Sequence, residues 1–408
     1  MPPASSPVHR AHRPTGAAPP EVAGAGRLHH DPAGPSESEE DPMTCTPTRP
    51  SGAAPRRRPR WRAALAAASA ATLLAACGGG DDAAGSSSSG GSEGGGGALQ
   101  DVTFLNILPL ESLTFTPELV AKSCGYFEDH GLNVTFETTQ GSAPAIQTVL
   151  AGGALITRVG DMETMLAAGE RDAPLVNVGQ INKTGTIRFV SAKSDPLQSP
   201  QDIEGRLMGT PSEGGTSEII LKLVAATAGI APDDVQTQVV GVAPGVFDLV
   251  TSGRIGGYIV SLDTSVALAA QQPDAVVYNP SDAVRSGGQV YVTSQDQADD
   301  PDKQEQLRNY LAAVKEAVQF VAQDQAGGYA ETKKCLADYD IPTLKDEAVA
   351  NAALDQYVES WTAAGDDQIA RTVPEQWQAV YDEMSGSGFV PKGLDPAEWY
   401  TNDYAPGS

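Results

Sequence analysis

The residues with most capacity for chemistry stand in short turns that precede helical runs. The stretch "GTPSEGGTSEIILKL", Gly209 to Leu223, places Gly209 and Gly214 at the separation of a nucleotide phosphate loop. Such a loop needs a lysine directly after its second glycine, to reach the phosphates. Gly215 and Thr216 stand there instead, which excludes the ATP-binding reading. What remains is a helix start where glycines leave the backbone bare and Thr216 and Ser217 add hydroxyls. That arrangement either caps the helix or holds a carboxylate, sulfonate, phosphate or ring carbonyl.

Acidic side chains form a second candidate set. Asp161 and Glu163 share one turn, and Asp263 lies in a comparable turn about a hundred residues later. Paired carboxylates can do acid/base work, although turns in so acidic a chain are also commonly just solvated. Facing a cleft, they favour a ligand bearing amino or ring N–H groups. Lys183 in "NKTG" and Arg158 are the cations that could answer an anion, Arg158 also reading as an ion-paired structural residue. Every histidine except His130 lies among the first 30 residues, so the body of the chain has no Ser-His-Asp set, Cys-His pair or His-bearing zinc spacing. No catalytic residue, metal or cofactor is expected. Phe115, Tyr258, Tyr291 and Tyr400 fall where a flat ring could be stacked, and equally where they could pack as core.

A repeat positions these turns. "GSAPAIQTVLAGGALI" from Gly141 and "GVAPGVFDLVTSGRIGGYIV" from Gly241 match at Gly141/Gly241, Ala143/Ala243, Pro144/Pro244, Ile146/Val246, Leu150/Val250 and Gly153/Gly253. Each copy follows a helix and a short strand and leads into another strand, so the chain holds two similar lobes. In the first, "DVTFLNILPL" reads as a strand and "TPELVAKSCGYFEDHG" as a helix with Thr116 as N-cap, Pro117 in its first turn and Gly131 as stop. Leu119, Val120, Cys124 and Phe127 recur at helical spacing, which predicts Cys124 in the core. "NVTFET", "ALITRV" and "PLVNVGQI" complete its strands; "RLMGT", "VQTQVV", "GGYIV" and "AVVYN" are those of the second lobe. Strands alternating with helices imply α/β lobes with parallel sheets. Beyond "GQVYVTS" three amphipathic helices should cover the first lobe.

These boundaries assign residues 1–76 to a leader and signal, 77–100 to a tether, 101–192 plus 290–408 to lobe 1 and 193–289 to lobe 2, with hinges near Ser191 to Pro196 and Asp282 to Tyr291. Ligands in open α/β sheets sit beyond the carboxyl ends of the strands. The expected cleft loops are therefore Leu110 to Thr116, Gly141 to Ala143, Gly160 to Glu163, Gly214 to Ser217, Val242 to Ala243 and Ser261 to Thr264. The ligand-binding set is Glu111, Thr114, Phe115, Gly141, Ser142, Asp161, Glu163, Lys183, Gly214, Gly215, Thr216, Ser217, Tyr258 and Asp263.

The head is a different object. The 408 residues carry a formal charge of -25, which argues against nucleic acid or an anionic membrane surface as partner, yet residues 1–76 hold nine Arg against six acidic residues. "RRRPRWR" gives a basic region, "AALAAASAATLLAA" an apolar run too short to span a membrane, and Cys77 follows at once. "LAAC", Leu74 to Cys77, resembles a bacterial lipobox, which implies lipid on Cys77 and an outward-facing protein. "GGGDDAAGSSSSGGSEGGGG" is then a tether. Translation starts at Met1 or at Met43. Cys45 leaves with the signal, and Cys124 and Cys335 are either a disulfide or two buried thiols.

The order "AKSCGYFEDHGLNV", "GSAPAIQTVLAGG", "SPQDIEGRLMGTPSEGGTSE" and "VAPGVFDLVTSGRIGG" resembles the substrate-binding lipoproteins of ABC importers for nitrate, sulfonate, taurine and thiamine pyrimidine precursors. The likeness covers Val102 to Tyr278 and, more loosely, the helical tail, where "EWYTNDY" is similar to the pyrimidine-precursor branch. It implies a type II periplasmic-binding-protein fold, a monomer that closes over a small ligand and docks on a permease. It also implies ligand contacts on the loop after the first strand, on Gly141 to Ser142, Gly160 to Asp161 and Gly214 to Thr216. Leu155 and Gly257 stand where the family usually has Asp, a departure that leaves the ligand open. The reading is a lipid-anchored binding protein for a pyrimidine-like or other nitrogen-bearing heteroaromatic metabolite. The alternatives are a binder of a small anion such as a sulfonate or nitrate, a pyrimidine-synthesising enzyme relative, which would need reactive histidines and a cytoplasmic address, and a non-transport sensor lipoprotein.

Overall fold

The structure is a computed structural model that describes residues 98–285 and 288–407. The leader, the lipobox with Cys77 and nearly all of the tether lie outside the described residues.

The first lobe opens with β1 (Gln100–Asn106), α1 (Thr116–Ser123), α2 (Tyr126–Asp129), β2 (Leu132–Thr138), α3 (Ser142–Leu150), β3 (Ile156–Gly160), α4 (Asp161–Arg171) and β4 (Leu175–Gln180). The second holds β5 (Ile187–Ala192), β6 (Leu207–Thr210), α5 (Thr216–Thr227), β7 (Gln236–Val239), α6 (Phe247–Thr251), β8 (Gly257–Ser261), α7 (Leu262–Gln271) and β9 (Ala275–Tyr278). The chain returns with β10 (Gln289–Ser294) and ends in α8 (Gln295–Asp299), α9 (Pro301–Asp324), α10 (Ala330–Cys335), α11 (Glu347–Thr362) and α12 (Pro374–Gly386).

Two five-stranded sheets result, ordered β2-β1-β3-β10-β4 and β7-β6-β8-β5-β9. They have the same plan, as the repeat implies: β3 and β8 occupy the same place, and Gly141 and Gly241 both take the left-handed backbone that a glycine tolerates without strain. The expectation of wholly parallel sheets is corrected. β10 runs antiparallel to β3 and β4, and β5 antiparallel to β8 and β9. The strand β5, absent from the sequence reading, also moves the first crossing between the lobes. Its pairing with β8 and β9 puts residues 187–192 in the second lobe, so the chain crosses at 181–186 and not near Ser191 to Pro196. The second crossing lies between β9 and β10 and overlaps the expected one.

Local rules explain most elements and two departures. α9 starts at Asp300, whose carboxylate accepts the N–H groups of Asp302 and Lys303, with Pro301 in the first turn. Its buried face repeats Leu307, Tyr310, Leu311, Val314, Ala317, Val318 and Val321 at helical spacing. The run after β1 is two helices, because Gly125 turns left-handed at φ 84° and breaks it; Gly131 is left-handed after α2. Thr116 is not an N-cap. Its hydroxyl donates to the Leu113 carbonyl at 2.7 Å, and Ser112 caps the preceding turn by accepting the Thr114 N–H.

The tail helices do not cover the first lobe alone. α9 packs on α1, α2 and β2, and α12 on α4, but α11 lies against α7 of the second lobe as well as against α9. Cys124, expected in the core, is exposed at the end of α1 and is bonded to the buried Cys335 of α10, with Cα atoms 5.7 Å apart. That bond closes a sequence separation of 211 residues. Cross-linking so large a loop removes entropy mainly from the unfolded chain, so reduction or Cys335→Ala is expected to lower unfolding free energy by roughly 3–5 kcal/mol. Urea midpoints with and without reductant test this, and coincident curves would contradict it.

Candidate functional site

The mutually parallel strands of the two lobes point their carboxyl ends at one another, β5 and β10 bring their amino ends there, and the helices that follow the parallel strands start at the gap. α3, α4 and α5 each begin behind a glycine, Gly141, Gly160 and Gly215, none of which can offer a side-chain cap. The lobes meet closely here. A Cβ at Gly160 would fall 1.6 Å from Thr216 Oγ1, and one at Gly141 3.1 Å from the Ser212 side chain. Between the lobes lies a cavity of about 90 Å³. Thr114, Phe115, Ser142, Gly160 and Glu163 line it from the first lobe, and Ser212, Gly215, Thr216, Ser217, Val242, Val260 and Ser261 from the second.

Glu163 is the charged side chain of this lining. It is buried, and one carboxylate oxygen accepts the Gly160 N–H at 2.7 Å and the Thr216 hydroxyl at 2.8 Å, one donor from each lobe. Ser142 and Gly215 lie beside the same carboxylate in the lining. Burial nevertheless outweighs these bonds and raises its pKa.

Asp263 does not line the cavity. From the first turn of α7 its carboxylate reaches the other lobe, accepting the Ser112 hydroxyl at 3.1 Å, the Leu113 N–H at 3.1 Å and the Tyr357 hydroxyl at 3.0 Å. Its own Ser261 donates at 2.6 Å. It thus ties α7 to the turn after β1 and to α11, a contact and not a free ligand group. Behind Phe115, Arg158 is ion-paired as its structural reading holds. Its guanidinium donates to both Glu118 oxygens at 2.8 and 2.9 Å and to the Thr114 carbonyl at 2.6 Å, and lies 4.8 Å from the Phe115 ring centre. Tyr291 donates to the same Glu118, so it belongs to this buried network and has no ring face to offer a ligand.

Other expected contacts also lie elsewhere. Tyr258 is fully buried in the second lobe's own core, on β8 between Val190 and Gly209, because β8 is covered on both faces. Burial also raises its hydroxyl pKa. Glu111 is exposed, and Gly214 donates its N–H to Glu218 at the rim. Tyr400 packs edge-on against Trp377. Lys183 sits in the first crossing, its ammonium donating to the Gln180 and Arg371 carbonyls, and burial lowers its pKa to about 7. Asp161 turns away from the cavity, accepting N–H groups of Met162 and Gly288, both at 2.7 Å. Asp161 and Lys183 both border a separate depression of about 620 Å³ beside the crossings.

The sequence reading missed Ile107, Leu108, Thr186, Ile187, Pro211, Ser212, Val260 and Gln289 of the lining. Thr186 and Ile187 stand at the first crossing, which the unread β5 misplaced, and Gln289 opens β10 inside the expected second hinge. Among the described residues no group of three or more His, Cys, Asp or Glu is arranged to hold a metal, and no helix is long and apolar enough to cross a membrane. His130, the one described histidine, sits beyond α2 against Glu316 at 3.1 Å.

The chain matches known proteins along most of the described region. A model of the NMT1/THI5-like family matches residues 112–327. The riboflavin-binding protein RibY of Chloroflexus aurantiacus is 23% identical over 326 residues, covering 76% of this chain and 87% of RibY. A solved protein of Bordetella bronchiseptica superposes with a TM-score of 0.62 at 20% identity, covering 74% of this chain and 95% of that one. The periplasmic aliphatic sulphonate-binding protein SsuA of Escherichia coli gives 0.55 at 17% identity, covering 76% and 99%. The two-lobed fold is that of type II periplasmic-binding proteins.

Burial, with the nearby Glu163 charge as a lesser contribution, pushes the Asp161 carboxyl up to about 7. A carboxyl raised in the folded state holds its proton there more tightly than in the unfolded chain. Its contribution to stability is present below about pH 4 and is lost as pH rises through the folded value. Relative to Asp161→Asn, the unsubstituted protein is expected to lose urea stability from about pH 4 to about pH 7. A pH-independent difference between the two would refute the assignment.

Proposed function

The chain belongs to the NMT1/THI5-like family, and from that premise we propose that it is an extracytoplasmic, lipid-anchored solute-binding protein that encloses a small metabolite between its lobes and presents it to an ABC permease. The observation that carries this reading is the cavity lined from both lobes, with Thr186, Ile187 and Gln289 of the two crossings in its wall. A ligand there touches both lobes and the segments about which they would turn, so its binding free energy bears directly on their relative position. At about 90 Å³ the cavity is smaller than the about 300–1,000 Å³ of ordinary metabolite sites, so entry requires the lobes to part.

Binding is favoured over turnover by the chemistry of the lining. Hydroxyls, bare amides, one carboxylate and apolar walls orient a ligand, whereas the described histidine is remote from them. Phe115 supplies an aromatic wall and Thr114 and Gln289 polar edges, which suits a pyrimidine-like or other nitrogen-bearing heteroaromatic compound. RibY is a riboflavin-binding protein, which agrees in kind, while SsuA, a sulphonate binder, supports the second reading of a small anion. The lipid anchor rests on "LAAC" and the tether after it.

Two measurements test this. Full-length protein should be stabilised by about 2.7 kcal/mol at 100 times the dissociation constant of its ligand, in a thermal-shift panel of pyrimidines, flavins, sulfonates, nitrate and aromatic acids. Turnover of a panel compound would overturn the binding reading. Cells expressing the protein should incorporate labelled palmitate, and Cys77→Ser should abolish both the label and membrane retention; label surviving that change would remove the anchor.

A further inference from the structure

We propose that Glu163 is an internal anion: its carboxylate fills the centre where the N-termini of α3, α4 and α5 meet, and so restricts the cleft to ligands that are not anions and that offer a proton donor or positive charge. The inference rests on the binding reading above and names its ligand class.

The starts of α3, α4 and α5 aim positive dipole ends at one place, which draws negative charge. Their N-caps are all glycine and supply no side-chain acceptor, although within α4 Asp161 accepts the Met162 N–H and Glu163 the Gly160 N–H. The carboxylate of Glu163 stands at that place, accepting the Gly160 N–H of the first lobe and the Thr216 hydroxyl of the second, with Ser142 and Gly215 beside it. The approach is built into the backbone, since any side chain at residue 160 would collide with Thr216 Oγ1.

An entering sulfonate or nitrate would compete with Glu163 for these donors and meet its charge. Among the described residues no Lys, Arg or His lines the cavity to compensate. A ligand with an N–H edge or a cationic group meets the reverse situation, because an ionised carboxylate keeps acceptor capacity beyond the bonds it already makes.

The test measures methanesulfonate and nitrate binding to full-length protein by calorimetry, comparing the unsubstituted chain with Glu163→Ala, Glu163→Gln and Thr216→Val. Glu163→Ala should bind methanesulfonate at least about 30-fold more tightly than the unsubstituted chain, the scale of a lost charged competitor. Glu163→Gln should gain less, since its carbonyl oxygen still takes the donors. Thr216→Val, which retains the carboxylate, should gain nothing. Equal affinity of the unsubstituted chain and Glu163→Ala would overturn the proposal, as would a gain in Thr216→Val. If a heteroaromatic compound stabilises the protein while methanesulfonate binds all four alike, the inference fails and the solute-binding reading stands. If no metabolite stabilises it and Glu163→Ala still gains the anion, the inference stands and that reading fails.

Discussion

Two strands, β5 and β10, run against the direction of their neighbours in the middle of otherwise parallel sheets, and the arrangement of the cleft depends on them. Each is hydrogen-bonded on both sides, β5 to β8 and β9 and β10 to β3 and β4. A central strand paired on both sides is hard to displace. The chain must therefore pass between the lobes at the sheet centres, next to the carboxyl ends of β3 and β8. The cavity lies where it does because those two passages bring Thr186, Ile187 and Gln289 to the same gap as the helix starts.

Around this frame the buried charges of Arg158, Asp263 and Glu163 each have partners. Burying a charge costs several kcal/mol unless hydrogen bonds and a counter-charge replace water, and breaking such a pair costs more than deleting it whole. Arg158 has Glu118, Thr114 and the face of Phe115. Asp263 has hydroxyls and an amide from three elements, and Glu163 has donors from both lobes. These groups do different work. Arg158 supports the turn that carries Thr114 and Phe115, Asp263 holds α7 to that turn and to α11, and Glu163 faces the cavity itself.

Much of this was legible in the chain. The hundred-residue repeat marks two lobes because each copy carries the same glycine turn, helix and strand. Strand-to-helix turns at Gly141, Gly160 and Gly215 could be located from local signals, and with them Ser142, Glu163, Thr216 and Ser217 of the cavity wall. The errors have common causes. Tyr258 lies on a strand buried on both faces, where alternation no longer tells cleft from core. Asp161 and Glu163 share a turn, yet two residues along a helix turn a side chain by more than half a circle, so only one faces the gap. Lys183 looked like an available cation because nothing local reveals that the Arg371 carbonyl, 188 residues away, comes to meet it.

By itself, the sequence determined most strands and helices, the glycine turns ahead of them, the two-lobed α/β organisation, the exclusion of a nucleotide loop at Gly214 and the distinct composition of the leader. These follow from periodicity, turn chemistry and composition, which act over a few residues. Tertiary structure alone decided that β5 belongs to the second lobe, that Cys124 and Cys335 pair, that Asp263 is a tie between lobes, and that Glu163 is where three helix starts converge. Each of those depends on the mutual placement of segments far apart in the chain, and hydrogen bonds, unlike hydrophobic patterns, exist only once that placement is made.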